Sequence, residues 1–227
     1  MVVVKIIFAA AVTLFGQGSL PETATGSYRI LVEGKQAGVE HFERSTVGQS
    51  LIVKNSTEIT VNGLTQKLTA MTELYASRLT RYELETTTGE HTQKYSLRFE
   101  QGVARVVIEA YGKQTERAVE VSDYVLLLDK NVWHHYGLLI GRYDMKRRGA
   151  QSFPVMTPQS GLRQYVAEVE YKEKTTFNAE GQKLKAHRFT LVVGEGYEVE
   201  VVADETNRPL SIEVFAFDAK AVLQSPR

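Results

Sequence analysis

Strict alternation of apolar and polar side chains is the feature that most limits what this chain can become. In Lys94-Tyr95-Ser96-Leu97-Arg98-Phe99-Glu100 every second residue is apolar. The pattern recurs in Ala167-Glu168-Val169-Glu170-Tyr171-Lys172, in Tyr197-Glu198-Val199-Glu200-Val201 and in Ala118-Val119-Glu120-Val121. A period of two puts all apolar groups on one face of a strand. A sheet with one dry and one wet face is antiparallel, because parallel strands are covered on both sides. Turn chemistry agrees. Asn62-Gly63 sits between two such runs, the strongest short hairpin signal. Gly34 to Gly38, Gln101-Gly102 and the stretch from Asp204 to Pro209 punctuate others. About eleven or twelve strands at roughly 8–12-residue spacing are expected, as in a sandwich or barrel.

One segment departs from this period. Between Asp129 and Tyr143, Val132, Tyr136, Leu139 and Tyr143 recur at helical spacing, with Trp133 and Ile140 beside the same stripe. A short helix over about 131–143 is expected, capped by Asp129 or Asn131 and weakened by Gly137 and Gly141. Its opposite side carries Lys130, His134 and Arg142. The stretch from Lys146 through Pro154 and Pro158 to Gly161 reads as a connector, since proline removes a ladder donor.

The start of the chain differs in kind. Lys5 precedes the apolar run Ile6 to Phe15, with Gly16 and Gly18 after it. Ten helical residues rise about 15 Å, half of a hydrocarbon core. Residues 1–18 therefore read as a cleavable export signal, with cleavage near Gly18. The remainder, 19–227, reads as one β domain with frayed ends at 19–26 and 219–227 and no membrane span. Export without cysteine fits a bacterial envelope, periplasmic or secreted, better than an animal extracellular fluid.

Composition excludes several functions. With no Cys there is no thiol catalysis, iron–sulfur cluster or thiolate zinc site. Equal numbers of basic and acidic residues, 27 and 27, argue against nucleic-acid binding. His134-His135 is a poor metal pair, because adjacent helical residues point about 100° apart. One of the two is expected at the stripe edge and the other in solvent. No nucleophile elbow, S-x-x-K or H-E-x-x-H motif is present. Glu168 and Glu170 share a polar strand face and read as solvated surface, as do Asn55-Ser56-Thr57. No catalytic residue, metal site or cofactor is assigned.

The order of features resembles a known group. Tyr28 to Gly34 is followed by Gly38, then long strands, then Trp133-His134-His135-Tyr136, Gly141-Arg142-Tyr143-Asp144 and Phe153-Pro154-Val155. Val201 to Asp204 and Arg208-Pro209-Leu210 close the series. This resembles uncharacterised bacterial envelope proteins related to the lipoprotein-localisation factors, the LolA/LolB-like superfamily. The resemblance implies a long antiparallel meander curled into an unclosed half-barrel, with the helix across a concave face that holds acyl chains. No lipid-anchor cysteine is present, and the carriers' ligand-gating residues have no match here, so lipoprotein transport is not implied.

Two readings follow, with a third behind them. In the first, the chain is an exported, non-catalytic binder of a lipid or other hydrophobic small molecule. Trp133, Tyr136, Leu139, Ile140, Tyr143 and Phe99 are its candidate ligand-binding residues. In the second, the barrel is packed solid and its surface meets an envelope protein partner. The third is a hydrolase without a recognisable motif.

Overall fold

The computed structural model describes residues 22–179, 182–194 and 196–224. The expected export segment, 1–18, and its cleavage point lie outside the described residues. Within them the fold is mainly β. In chain order the strands are β1 (Glu22–Val32), β2 (Lys35–Val47), β3 (Ser50–Val61), β4 (Leu64–Tyr75), β5 (Arg78–Thr88), β6 (His91–Glu100), β7 (Val103–Ala110) and β8 (Lys113–Glu120). Then come β9 (Leu126–Leu127), the helix α1 (His134–Ile140), β10 (Ala150–Thr157), β11 (Arg163–Ala179), β12 (Gln182–Val193), β13 (Tyr197–Asp204), β14 (Pro209–Val214) and β15 (Ala219–Gln224). All fifteen strands lie in one sheet, ordered β8-β7-β6-β5-β4-β3-β2-β1-β15-β14-β13-β12-β11-β10-β9.

Fifteen strands replace the expected eleven or twelve because the Ala76-Ser77 turn carries no glycine, β9 has only two residues and β10 lies in the expected connector. Positive φ at two successive residues is the signature of the two-residue turn that suits twisted strands. Glu33-Gly34, Asn62-Gly63, Gln101-Gly102 and Tyr111-Gly112 have it, and so do Ala76-Ser77, where no glycine advertises the turn. The ends of the described chain are not frayed. β1 and β15 pair in mid-sheet, with Ser27 opposite Gln224 and Val32 opposite Ala219. The expected connector at 150–157 is strand β10, in which Pro154 stands opposite Val166. The proline is tolerated because the other edge of β10 is laddered only at Val155 and Met156, against β9.

The sheet curls without closing. β8 and β9 are its two ends and do not pair with each other. Gln164 Nε2, near the start of β11, donates to Glu120 O at the end of β8 at 2.7 Å, drawing the two halves together. Residues 121–149 carry the chain from one end of the sheet to the other, through its concave side. Val125-Leu126-Leu127-Leu128 is a continuous apolar run, and it is buried on both faces. Leu126 and Leu128 pack with the β1 and β11–β15 half, beside Ile30, Val169, Val199 and Val201. Val125 and Leu127 pack with the β4–β7 half, beside Tyr82, Leu97 and Val106. Among the described residues β9 also makes the only parallel pairing, with β10. A run apolar at every position is what a parallel strand covered on both faces requires.

The predicted alternation holds in register. Tyr95 and Leu97 face inward, while Lys94, Ser96 and Arg98 are exposed. Val169, Val199 and Val201 are buried and Tyr171 is half-buried. The two sets belong to different clusters, one on each side of the inner segment. Phe99 is only half-buried, at the margin of its cluster, because it lies one residue from the end of β6. Truncation should reflect that difference. Leu97→Ala is expected to cost about 2–5 kcal/mol, and Phe99→Ala distinctly less than the 3–5 kcal/mol of a fully buried ring. Paired urea denaturation curves measure both.

Candidate functional site

The inward positions of β2 to β5 are not uniformly apolar. Glu40 stands opposite Thr57 on β3, and Thr72 stands opposite Tyr82 on β5. These four residues and Asn55 are all buried. They form a polar patch on an otherwise apolar concave face. Asn55 and Thr57, expected as surface, belong to it because they share the inward parity of Val53 and Ile59.

The patch receives the start of α1. Glu40, with no exposed surface, accepts hydrogen bonds from Trp133 N at 2.8 Å and His134 N at 3.0 Å. His134 Nδ1 lies 3.2 Å from the same carboxylate and donates to it, since a carboxylate only accepts. Thr57 Oγ1 donates to Glu40 Oε2 at 3.2 Å. A carboxylate from a distant strand thus satisfies backbone N–H groups that a helix start leaves without partners.

Neither expected cap does this work. Asn131 has φ 60° and its side-chain amide donates to Gln66 Oε1 at 2.7 Å. Asp129 Oδ1 accepts from Lys130 N and Gln159 N, and Oδ2 accepts from Tyr82 OH at 3.0 Å. The helix is also shorter than expected, seven residues ending at Gly141. Gly137 serves packing: a Cβ there would sit 3.0 Å from Pro209 Cδ, so the missing side chain lets α1 approach β14.

Both histidines are buried, against the expectation that one lies in solvent. His135 Nδ1 accepts from Asp129 N at 3.2 Å, so its proton is on Nε2, which donates to Thr72 Oγ1 at 3.1 Å. Burial, then the neighbouring His134, hold its pKa well below the usual imidazole value. Burial raises the Asp129 pKa to about 6, against the lowering effect of its hydrogen bonds. His134 Nε2 and Asn55 Oδ1 are buried and have no hydrogen-bond partner among the described residues. The Glu40–His134 pair, with the Thr57 hydroxyl on the same carboxylate, clasps the start of α1 to β2 and β3. Among the described residues no group of three His, Cys, Asp or Glu could hold a metal ion.

Beside the clasp lies a cavity of about 1020 Å³. Trp133 and Tyr136 line it from the helix side, and Val32, Ile59, Val214 and Tyr197 from the sheet. Val61, Leu64 and Phe217 line it and are also exposed, so they form an apolar rim. The other four candidate residues do not line it. Leu139 and Ile140 are fully buried in the core. Tyr143 packs edge-on against Phe189 at 5.4 Å and donates to Gly149 O. Phe99 belongs to the other half of the sheet. Helical spacing groups residues by face, but the helix is so short that its first turn meets the cavity and its last turn meets the core.

No protein-family model matches the chain, and no curated protein matches it. Among solved structures it is similar to the crystal structure of a β-barrel-like protein of a domain of unknown function, DUF1849, from Brucella abortus. The TM-score is 0.60 at 10% identity, covering 88% of this chain and 94% of that one. At that identity the likeness is one of fold: a β-barrel-like protein whose single large sheet stays open. No helix among the described residues is long and apolar enough to cross a membrane.

Two outcomes are expected at the clasp. Glu40→Gln leaves backbone donors facing an amide and should cost about 1–3 kcal/mol, the usual penalty for a buried hydrogen-bonding group left without its partner. Trp133 is the sole tryptophan, so its fluorescence should report the loosened helix start. The second concerns pH. The Asp129 pKa is raised from 3.8 to about 6, so the folded state holds its proton more tightly than the unfolded state. Its contribution to stability is fully present below about pH 4 and is lost as pH rises through about 6. His135 acts oppositely on acidification, so the comparison must be made against Asp129→Asn. The stability of wild type relative to that variant should be greater at pH 4 than at pH 7.5, by on the order of 3 kcal/mol. A pH-independent difference in denaturation midpoint would refute the assignment.

Proposed function

We propose that the chain is an exported, non-catalytic protein that binds a hydrophobic small molecule or acyl chain in the cavity beside α1. The observation that carries this reading is the cavity itself. Protein interiors are close-packed, with few voids larger than a water molecule. A space of about 1020 Å³ lies at the upper end of the size of small-molecule sites. Its aromatic and aliphatic lining, with an exposed apolar rim, suits a ligand that enters from the open end. A barrel packed solid to serve as a scaffold would leave no such space.

The compartment is part of the proposal. A cationic residue, a short apolar run and small residues at 1–18 support export, and the absence of cysteine supports a bacterial envelope. The resemblance to LolA/LolB-like envelope proteins supports the same ligand class, since those proteins hold acyl chains on a concave sheet. The buried Glu40–His134 pair is already committed to holding the helix, which favours binding over hydrolysis.

The test is uptake of a neutral apolar fluorophore, N-phenylnaphthylamine, by the purified protein. Saturable binding is expected. Trp133→Ala should weaken it about tenfold, the loss of roughly 1.4 kcal/mol. Trp133→Phe should retain most of the affinity. A folded wild-type protein that takes up no apolar probe would remove the basis of the reading.

A further inference from the structure

One side of the cavity is polar and carries charge. Lys130, Thr157, Ser160, Arg163 and Gln164 line it there. These residues belong to one tied group. Gln159 Nε2 donates to Lys130 O at 2.8 Å, Gln159 N donates to Asp129 Oδ1 at 3.0 Å, and Thr157 Oγ1 donates to Arg163 O at 3.3 Å. The 3-10 turn Pro158–Ser160 therefore holds Lys130 on one side and Arg163 on the other.

Neither the Lys130 ammonium nor the Arg163 guanidinium joins an ion pair among the described residues. Among the described residues the one carboxylate that lines the cavity, Asp129, is buried and its oxygens are already occupied by Tyr82 OH, Lys130 N and Gln159 N. Two uncommitted cations thus share a cavity that is also lined by Val32, Ile59, Val61, Leu64 and Val214.

We propose that the cavity takes an amphiphile with an anionic head, a carboxylate or phosphate monoester on a long alkyl chain. The head lies at Lys130, Ser160 and Arg163, and the chain runs along β1, β3 and β14. The proposal rests on the reading of the cavity as an apolar ligand site and adds the polarity and orientation of the ligand. Arginine offers a planar fork that matches either oxyanion, lysine adds a point charge, and the Ser160 hydroxyl can donate. Both cations are exposed, so salt screens part of their attraction.

The experiment displaces N-phenylnaphthylamine with hexadecanoate, hexadecyl phosphate and hexadecanol, using wild type and the double variant Lys130→Gln/Arg163→Gln. In wild type at low salt the two anions should bind about tenfold or more tightly than the alcohol, and the preference should shrink as salt is added. In the double variant the preference should fall towards one, because binding of the anions falls far more than that of the alcohol, and the melting temperature should stay the same. Whichever anion binds better identifies the head as carboxylate or phosphate. Equal binding of all three compounds to wild type, or an anion preference that survives in the double variant, would overturn the head assignment while leaving the apolar site intact. Failure of the fluorophore and all three compounds to bind would overturn the cavity reading and this proposal together.

Discussion

The Glu40 carboxylate is the point on which the interior depends. It comes from β2, on one half of the sheet, and takes its hydrogen bonds from the first residues of a helix that packs against β14 on the other. A charge with no exposed surface is tolerated only when its lone pairs are filled. Here Trp133 N, His134 N, His134 Nδ1 and Thr57 Oγ1 fill them. A seven-residue helix would be marginal in water on its own. Its stability comes from this carboxylate at one end and from the packing of Leu139 and Ile140 at the other.

That clasp also orders what lies around it. Trp133, fixed by its own backbone bond to Glu40, becomes a wall of the cavity. His135 bridges Asp129 to Thr72, so the segment entering the helix is tied to β4. Asp129 in turn links Tyr82 on β5 to the turn at Gln159, next to the cations of the cavity mouth. A single polar chain runs from the floor of the sheet to the candidate ligand site. Its members are hydrogen-bonded to one another, which is how a low-dielectric interior accepts so many polar groups.

The sheet was largely legible in the sequence, because burial on one face demands alternation and alternation survives any tertiary context. Tyr95, Leu97, Val169, Val199 and Val201 face inward as their parity requires. The strand count was less legible, since the Ala76-Ser77 turn carries no glycine or asparagine to mark it. The site was partly legible. Aromatic density at 133–143 pointed to the helix, yet spacing along one element does not say which of its neighbours is a wall and which is a void. Glu40 cannot be read from its own strand, because its partners are more than ninety residues away. A signal did exist: Glu40, Asn55, Thr57 and Thr72 are polar residues at inward parity. Interruptions of that kind, on neighbouring strands, predict a shared buried partner.

The cavity follows from the same geometry. The inner segment fills the β4–β7 half with Val125, Leu127 and Val132, and fills the middle with Leu126 and Leu128. It then turns into a helix too short to reach across the whole concave face. Extending the helix past Gly141 would cover more of that face, but the chain turns there and Tyr143 is spent on Phe189. The uncovered end lies between the tips of β1, β3 and β4 and the start of β11, where the Pro158–Ser160 turn brings Lys130 and Arg163 to the rim. An open sheet, a short plug and a charged turn at one end together make a space that is apolar in depth and cationic at one side. That combination suits a ligand with two unlike ends better than a wholly apolar one, because the two exposed cations offer charge-assisted hydrogen bonds to an anionic head while the apolar lining takes the chain.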